Sequence, residues 1–262
     1  MARVLNVYSL PRLVDAEELA GGTAVIIDVL RSSTTIVYAL DAGAKQVIPC
    51  VEVEEARAIA AGLPPGEVLL GGERHGLPIE GFDLGNSPEE YTRQRVGGRT
   101  IVLTTTNGTR AMAHARQARR VLIGAFVNAT AVCRELFTQE RIHLLCSGTE
   151  GQFSQDDVLL AGMLVERLGR EGGLPYERNA QAITAREFWL HRFALPQALG
   201  AEPLEPEVLA RGLRKSVGGQ NLVGLGLEAD ILAAAQIDRF DGVPELDVDT
   251  FRIRLRREGI GD

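Results

Sequence analysis

Along the first 150 residues, short apolar runs alternate with polar or glycine-rich breaks and with segments whose apolar positions recur at helical spacing. The runs cover residues 4–7, 24–30, 46–51, 68–70, 100–103, 121–123 and 142–145. Most are β-branched and nearly continuous, as befits strands buried on both faces of a largely parallel sheet. Residues 34–42, 54–62, 109–118 and 128–137 carry the helical pattern between them. The alternation predicts an α/β fold, three-layer α/β/α, around a largely parallel or mixed sheet.

The pattern changes after Ser147. Residues 156–168 read as an amphipathic helix, and 182–213 as helices broken by Pro196, Pro203 and Pro206. A further helix is expected over 224–237 and a closing strand over 244–253, while the Gly- and Pro-rich 170–176 stretch reads as a linker or loop. The expected organisation is therefore a sheet domain over residues 1–150 and a mostly helical part over 151–262. The helical part packs on the sheet and completes its site.

Composition narrows the function. The chain has 262 residues, 45% of them hydrophobic, enough for one or two buried cores. A net charge of -7, with arginines scattered rather than clustered, excludes a nucleic-acid surface. No apolar stretch approaches the roughly 20 residues that span a bilayer, and the first residues lack the apolar core of a signal peptide. Cys50, Cys133 and Cys146 lie among apolar neighbours without CxxC spacing and read as reduced core thiols. A soluble cytoplasmic protein is expected, with a homo-oligomer left open.

The chemistry gathers where strands end, the usual place for ligands in open α/β sheets. In VIIDVLRSSTT, Asp28 closes a buried strand, where a carboxylate is costly unless it is paired or bound to metal. Arg31 and the following hydroxyls sit at a helix start, suited to an oxyanion or, more simply, to capping. The stretch GGERHGLPIEGFDLGNSPEEY places Glu73, Arg74, His75, Asn86 and Ser87 in a long glycine-rich loop, and such loops commonly carry function. In RTIVLTTTNGTRA a strand runs into Thr105, Thr106, Asn107, Gly108 and Thr109, an anion cradle or a capped helix. Asn128 marks another strand-to-helix junction. Gly148 follows a strand, and Asp156 and Asp157 open a helix, where they favour the dipole or add to a hard-cation site.

Several phosphate chemistries are excluded. Leu30 stands where an aspartyl-phosphate enzyme of the haloacid dehalogenase type needs its second aspartate. Gln152, six positions after Cys146, breaks the tyrosine-phosphatase loop. Four histidines, with no HExxH and no GxSxG, disfavour zinc or a serine triad. Carboxylates, arginine, hydroxyls and amides remain, the oxygen-rich set of a magnesium phosphate site.

At these loops the sequence resembles the 2-phosphosulfolactate phosphatase family of coenzyme M biosynthesis. The matching pieces are IIDVLRSSTTIVYAL, GGERHGLPIEGFDLGNSPEEY, TTTNGTRA, FVNATAV, SGTEGQFSQDDVLLAG and, more loosely, SVGGQNLVGLGLEADI, in the family's order over about residues 23–250. Ser32 stands where alanine is usual in the family.

The resemblance implies a phosphoric monoester hydrolase with a fold of the family's own. It also implies magnesium-dependent release of phosphate and 3-sulfolactate from 2-phospho-3-sulfolactate, a small-molecule phosphate ester. The residues that fall on its polar motifs, with Thr105 beside them, give the expected site. Asp28, Arg31, Glu73 and Arg74 would be catalytic. Ser33, Asn86, Ser87, Thr105, Thr106, Asn107, Gly108, Thr109, Asn128 and Gly148 would bind substrate. Asp28 with Glu73, Asp156 or Asp157 would hold Mg2+, and water or Asp28 itself would attack phosphorus. Another small phosphorylated hydroxy acid as substrate, and a non-catalytic binder of phosphorylated metabolites, are the alternatives.

Overall fold

In the computed structural model, which describes residues 3–171, 175–199 and 204–256, the apolar runs become strands. In chain order these are β1 (Arg3–Tyr8), β2 (Thr23–Ile27), β3 (Gln46–Cys50), β4 (Val68–Arg74), β5 (Leu77–Pro78) and β6 (Thr100–Thr104). They continue as β7 (Arg120–Gly124), β8 (Arg141–Cys146), β9 (Tyr176–Arg178), β10 (Pro244–Asp247) and β11 (Arg252–Leu255). Every residue of β2, β3 and β6 is buried, which is why their sequences lack the alternation of a half-exposed strand.

The helices are α1 (Ser32–Asp41), α2 (Val53–Ala61), α3 (Arg93–Val96), α4 (Gly108–His114), α5 (Ala129–Leu136) and α6 (Gln155–Glu171). After them come α7 (Ala180–Trp189), α8 (Leu195–Ala198), α9 (Pro206–Leu213), α10 (Val217–Gly224) and α11 (Glu228–Ala234). Among the described residues no helix is long and apolar enough to cross a membrane.

The strands form one mixed, largely parallel sheet in the order β5-β4-β6-β3-β11-β10-β7-β2-β8-β1-β9, with helices on both sides. Two parallel blocks, β4-β6-β3 and β7-β2-β8-β1-β9, flank the antiparallel β10–β11 hairpin. One face of the second block buries Val25, Ile27 and Leu122 against α5, α6, α7 and α9. Its other face shares a core with the first block, in which Ile26 and Ile123 meet Ile101, Leu103, Ile36 of α1 and Met112 of α4. The sheet thus wraps around α1 and α4. A separate core beneath α2 holds Ile48, Cys50, Ala56 and Val102.

Three local expectations change. The segment 244–253 is a hairpin of two strands rather than one, because residues 248–251 turn the chain between β10 and β11. The helix expected over 224–237 is shorter, α11, and is preceded by α10, which lies mostly in residues 214–223, where no element was expected. A side chain at Gly219 would run into the Leu213 carbonyl, so close packing explains that glycine. In the 170–176 stretch, residues 172–174 lie outside those described, while α6 continues to Glu171 and β9 begins at Tyr176.

Candidate active site

The ends of β2, β4 and β6 open on one cleft lined by Asp28, Leu30, Arg31, Glu73, His75, Gly76, Asn86 and the Thr105–Thr106–Asn107 turn. Thr149, Glu150, Gly218, Asn221, Leu222 and Leu225 close it from the opposite side.

Asp28 immediately follows the fully buried β2 and is itself buried. Its Oδ1 accepts from the Ser32 amide at 3.1 Å, and its own amide donates to Ser33 Oγ at 3.0 Å, fixing the entry to α1. Burial pushes its carboxyl up to about 7, Asp156 and Glu73 push the same way, and the Ser32 amide and Arg31 oppose them. Gly108 lies against this carboxylate. A Cβ there would come within 2.7 Å of Asp28 Oδ2 and 2.5 Å of Ser32 Oγ.

Arg31 is equally buried and ties three elements together. Its Nη1 donates to Asp230 Oδ2 of α11 at 2.6 Å and to Ser87 Oγ at 3.2 Å, and its Nη2 donates to the Gly76 carbonyl at 2.8 Å. Ser87 Oγ also donates to Asp230 Oδ2 at 2.9 Å.

Glu73 takes the amides that the sequence suggested for a bound anion. Its Oε1 accepts from Thr106 N at 2.7 Å, and its Oε2 accepts from Gly76 N at 2.8 Å and from the Thr106 hydroxyl at 3.2 Å. The threonine turn therefore holds a protein carboxylate at the cleft wall.

Asp156 and Asp157 stand behind the cleft and organise its floor. Asp157 accepts from Val29 N and Gly148 N, both at 2.9 Å, and Asp156 accepts from the Ser154 hydroxyl. Burial raises both carboxyls, and for Asp157 the nearby Asp156 and Asp28 raise it further. The pair pins the 28–30 loop to the start of α6.

Other expected residues do not line the cleft. Arg74 donates to the Val51 carbonyl and to Thr104 Oγ1, both at 2.9 Å. Asn128 accepts from Ala125 N and donates to the carbonyls of Ile123 and Gly242. Ser33 donates to the Ile26 carbonyl and Thr109 to that of Thr105, so both brace backbone. Gly148 and Gly108 serve through their backbone.

The sequence reading missed Asp230, Thr149, Glu150, Asn221 and the apolar wall of Leu222 and Leu225. The signals were the SGTEGQFSQDDVLLAG match, which contains Thr149 and Glu150, and the looser SVGGQNLVGLGLEADI match, which contains Asn221, Leu222, Leu225 and Asp230. Across the mouth, His75 Nδ1 lies 3.6 Å from Glu150 Oε1, both exposed.

The charge of the lining is distinctive. Three carboxylates, Asp28, Glu73 and Glu150, face the same space as one guanidinium, Arg31, which is already paired with Asp230, and His75. Asn86 Oδ1 and Ser32 Oγ are buried without a hydrogen-bond partner among the described residues. Among the described residues, no three His, Cys, Asp or Glu side chains form a ready metal cage.

The family model for 2-phosphosulpholactate phosphatase matches residues 8–249. A protein of Symbiobacterium thermophilum is 44% identical over 230 residues, 87% of this chain and 93% of its own. One of Caldanaerobacter subterraneus is 36% identical over 243 residues, covering 92% and 95%, and one of Deinococcus radiodurans is 40% identical over 227, covering 85% and 87%. Each is named "Probable 2-phosphosulfolactate phosphatase". The chain belongs to the 2-phosphosulfolactate phosphatase family.

Proposed function

We propose that this member of the family is a magnesium-dependent phosphatase that converts 2-phospho-3-sulfolactate and water into 3-sulfolactate and phosphate. The observation that carries the reading is the excess of carboxylate in the cleft. An ester bearing phosphate, sulfonate and carboxylate would meet Asp28, Glu73 and Glu150 with only Arg31 and His75 to balance them. Such a polyanion binds there only with a cation.

The donor set fits magnesium. This ion takes oxygen ligands and is commonly held by one or two carboxylates together with substrate phosphate and water, so no closed cage is required. Asp28 and Glu73 would hold it. The raised carboxyl of Asp28 and the orphaned Asn86 Oδ1 mark a place short of positive charge and of donors. Asp157, which does not line the cleft, supports the loop instead. Bound at Asp28 and Glu73, magnesium would neutralise negative charge and draw electron density from the phosphoryl oxygens.

The protein's own groups do the rest. Arg31 lines the cleft, and its Nε makes no hydrogen bond among the described residues, so the guanidinium would donate to a phosphoryl oxygen as charge builds there. Asn86 lines the cleft, with its Oδ1 buried and without a donor among the described residues. Leu30, Leu222 and Leu225 exclude bulk solvent from one side. Attack by Asp28 is the competing route, and it would leave a phosphorylated aspartate detectable by mass spectrometry.

A second substrate reading has its own support. Among the described lining residues, Arg31 is the sole arginine, and the facing wall is apolar, which suits a less charged phosphorylated hydroxy acid such as phospholactate. A non-catalytic phosphate binder is disfavoured, because carboxylates in the cleft oppose an anion bound alone. Phosphate release from a panel of esters, with and without magnesium, tests the proposal. Magnesium-dependent turnover fastest on phosphosulfolactate supports it, and turnover indifferent to a chelator overturns the metal.

A further inference from the structure

We propose that Asp230 is a positioning residue that aims the Arg31 guanidinium into the cleft; this rests on the phosphatase reading above. Asp230 lies on α11, far along the chain from the strand-end loops, and is not part of the cleft lining. It reaches the site through Arg31 and the Ser87 hydroxyl that bridges the two.

The contact is short and enclosed. Asp230 Oδ2 lies 2.6 Å from Arg31 Nη1, and the two side chains are 5% and 4% exposed. Ser87 Oγ bridges them, accepting from Nη1 at 3.2 Å and donating to Oδ2 at 2.9 Å. With Nη2 given to the Gly76 carbonyl at 2.8 Å, one side of the guanidinium is held by protein. The rotation left to an arginine at the end of three methylenes is thereby removed, and Nε keeps one direction. A guanidinium that must meet charge developing in a transition state gains most from being aimed before substrate arrives.

A surface ion pair would be bland, but this one is not at the surface. It joins the C-terminal helices to the β2–α1 loop at the residue most suited to hold the phosphoryl group. Positioning also differs from simple charge balance in its consequences. Neutralising Asp230 raises the positive potential around Arg31, so anion affinity holds or tightens, while loss of aim lowers the rate of the chemical step.

The test is a kinetic cycle on the full chain with magnesium, reading kcat, KM and inhibition by inorganic phosphate. Asp230→Asn is expected to lower kcat by about tenfold or more, with the phosphate inhibition constant unchanged or tighter. In an Arg31→Lys background, which keeps the charge but loses the fork, the same change is expected to alter kcat by less than about twofold. An Asp230→Asn enzyme with normal kcat, or an equal loss in both backgrounds, overturns the role. Should Asp230→Asn not fold, Ser87→Ala removes the bridging hydroxyl without stranding a charge. Its kcat is then expected to fall by about threefold at unchanged phosphate inhibition, and an unchanged kcat overturns the proposal. No phosphate release by the unaltered protein sinks the phosphatase reading itself, whereas normal release by Asp230→Asn sinks the positioning role alone.

Discussion

Glu73 and Arg74 are neighbours in sequence and part company in the structure. Successive side chains of a strand point to opposite faces, so the end of β4 sends Glu73 into the cleft and Arg74 to Val51 and Thr104. The sequence shows both as polar strand-end residues and gives no means of choosing between them. Asp28 was legible because a carboxylate closing a buried apolar run has no inexpensive structural purpose. Asp230 was not, since its partner lies at the other end of the chain. Gly108 gives a sharp residue-scale prediction: the Cβ of Gly108→Ala would press on Ser32 and Asp28 Oδ2, lowering kcat by about 10–100-fold in a steady-state assay. Because burial holds the Asp28 carboxyl near 7, cation binding there displaces a proton. Magnesium affinity is therefore expected to rise as pH increases through 6 to 7, and calorimetry in buffers of different ionisation enthalpy should show proton release. His143 titrates in the opposite sense. It is buried beside Tyr8 with neither ring nitrogen bonded among the described residues, and burial lowers it to about 4. The unfolded chain then binds more protons between pH 6.5 and 4, so stability is lost on acidification across that window, by as much as roughly 3 kcal/mol. Urea titrations of His143→Leu should show a flatter pH dependence there than the unaltered protein.

Elements were readable where apolar period and burial agree. The buried strands and the long α6 follow the pattern closely, because continuous apolar runs and an amphipathic stripe allow few other placements. The helix α10 escaped notice for a physical reason: glycine disfavours helix, yet Gly219 permits the approach of the Leu213 carbonyl, and Ser216 Oγ caps the helix by accepting from Gly219 N at 2.9 Å. The same logic governs the packing of α6 on α7. At Gly162 a Cβ would collide with the Ala185 carbonyl and come within 2.9 Å of Trp189 Cβ. Gly162→Ala is therefore expected to destabilise the fold by about 1–3 kcal/mol in denaturant titration, despite the higher helix propensity of alanine.

At the scale of the whole molecule, the last strands of the chain occupy the middle of the sheet. The β10–β11 hairpin pairs with β7 on one side and β3 on the other, so it joins the two parallel blocks. Pattern alone could not reveal this, since strand order is set by long-range pairing rather than by local period. A chain truncated after Gly242 is expected to lose cooperative unfolding in circular dichroism, because Leu246 and Ile253 belong to the core shared by both blocks. That architecture brings the ends of β2, β4 and β6 to one cleft, and the central claim is that Asp28 there hydrolyses a phosphate ester with the help of a cation. Phosphate release from 2-phospho-3-sulfolactate by the unaltered protein and by Asp28→Asn, each with magnesium and with chelator, tests it most directly. The account predicts turnover only for the unaltered protein with magnesium, and Asp28→Asn slower by at least about 100-fold. Equal turnover by Asp28→Asn would contradict it.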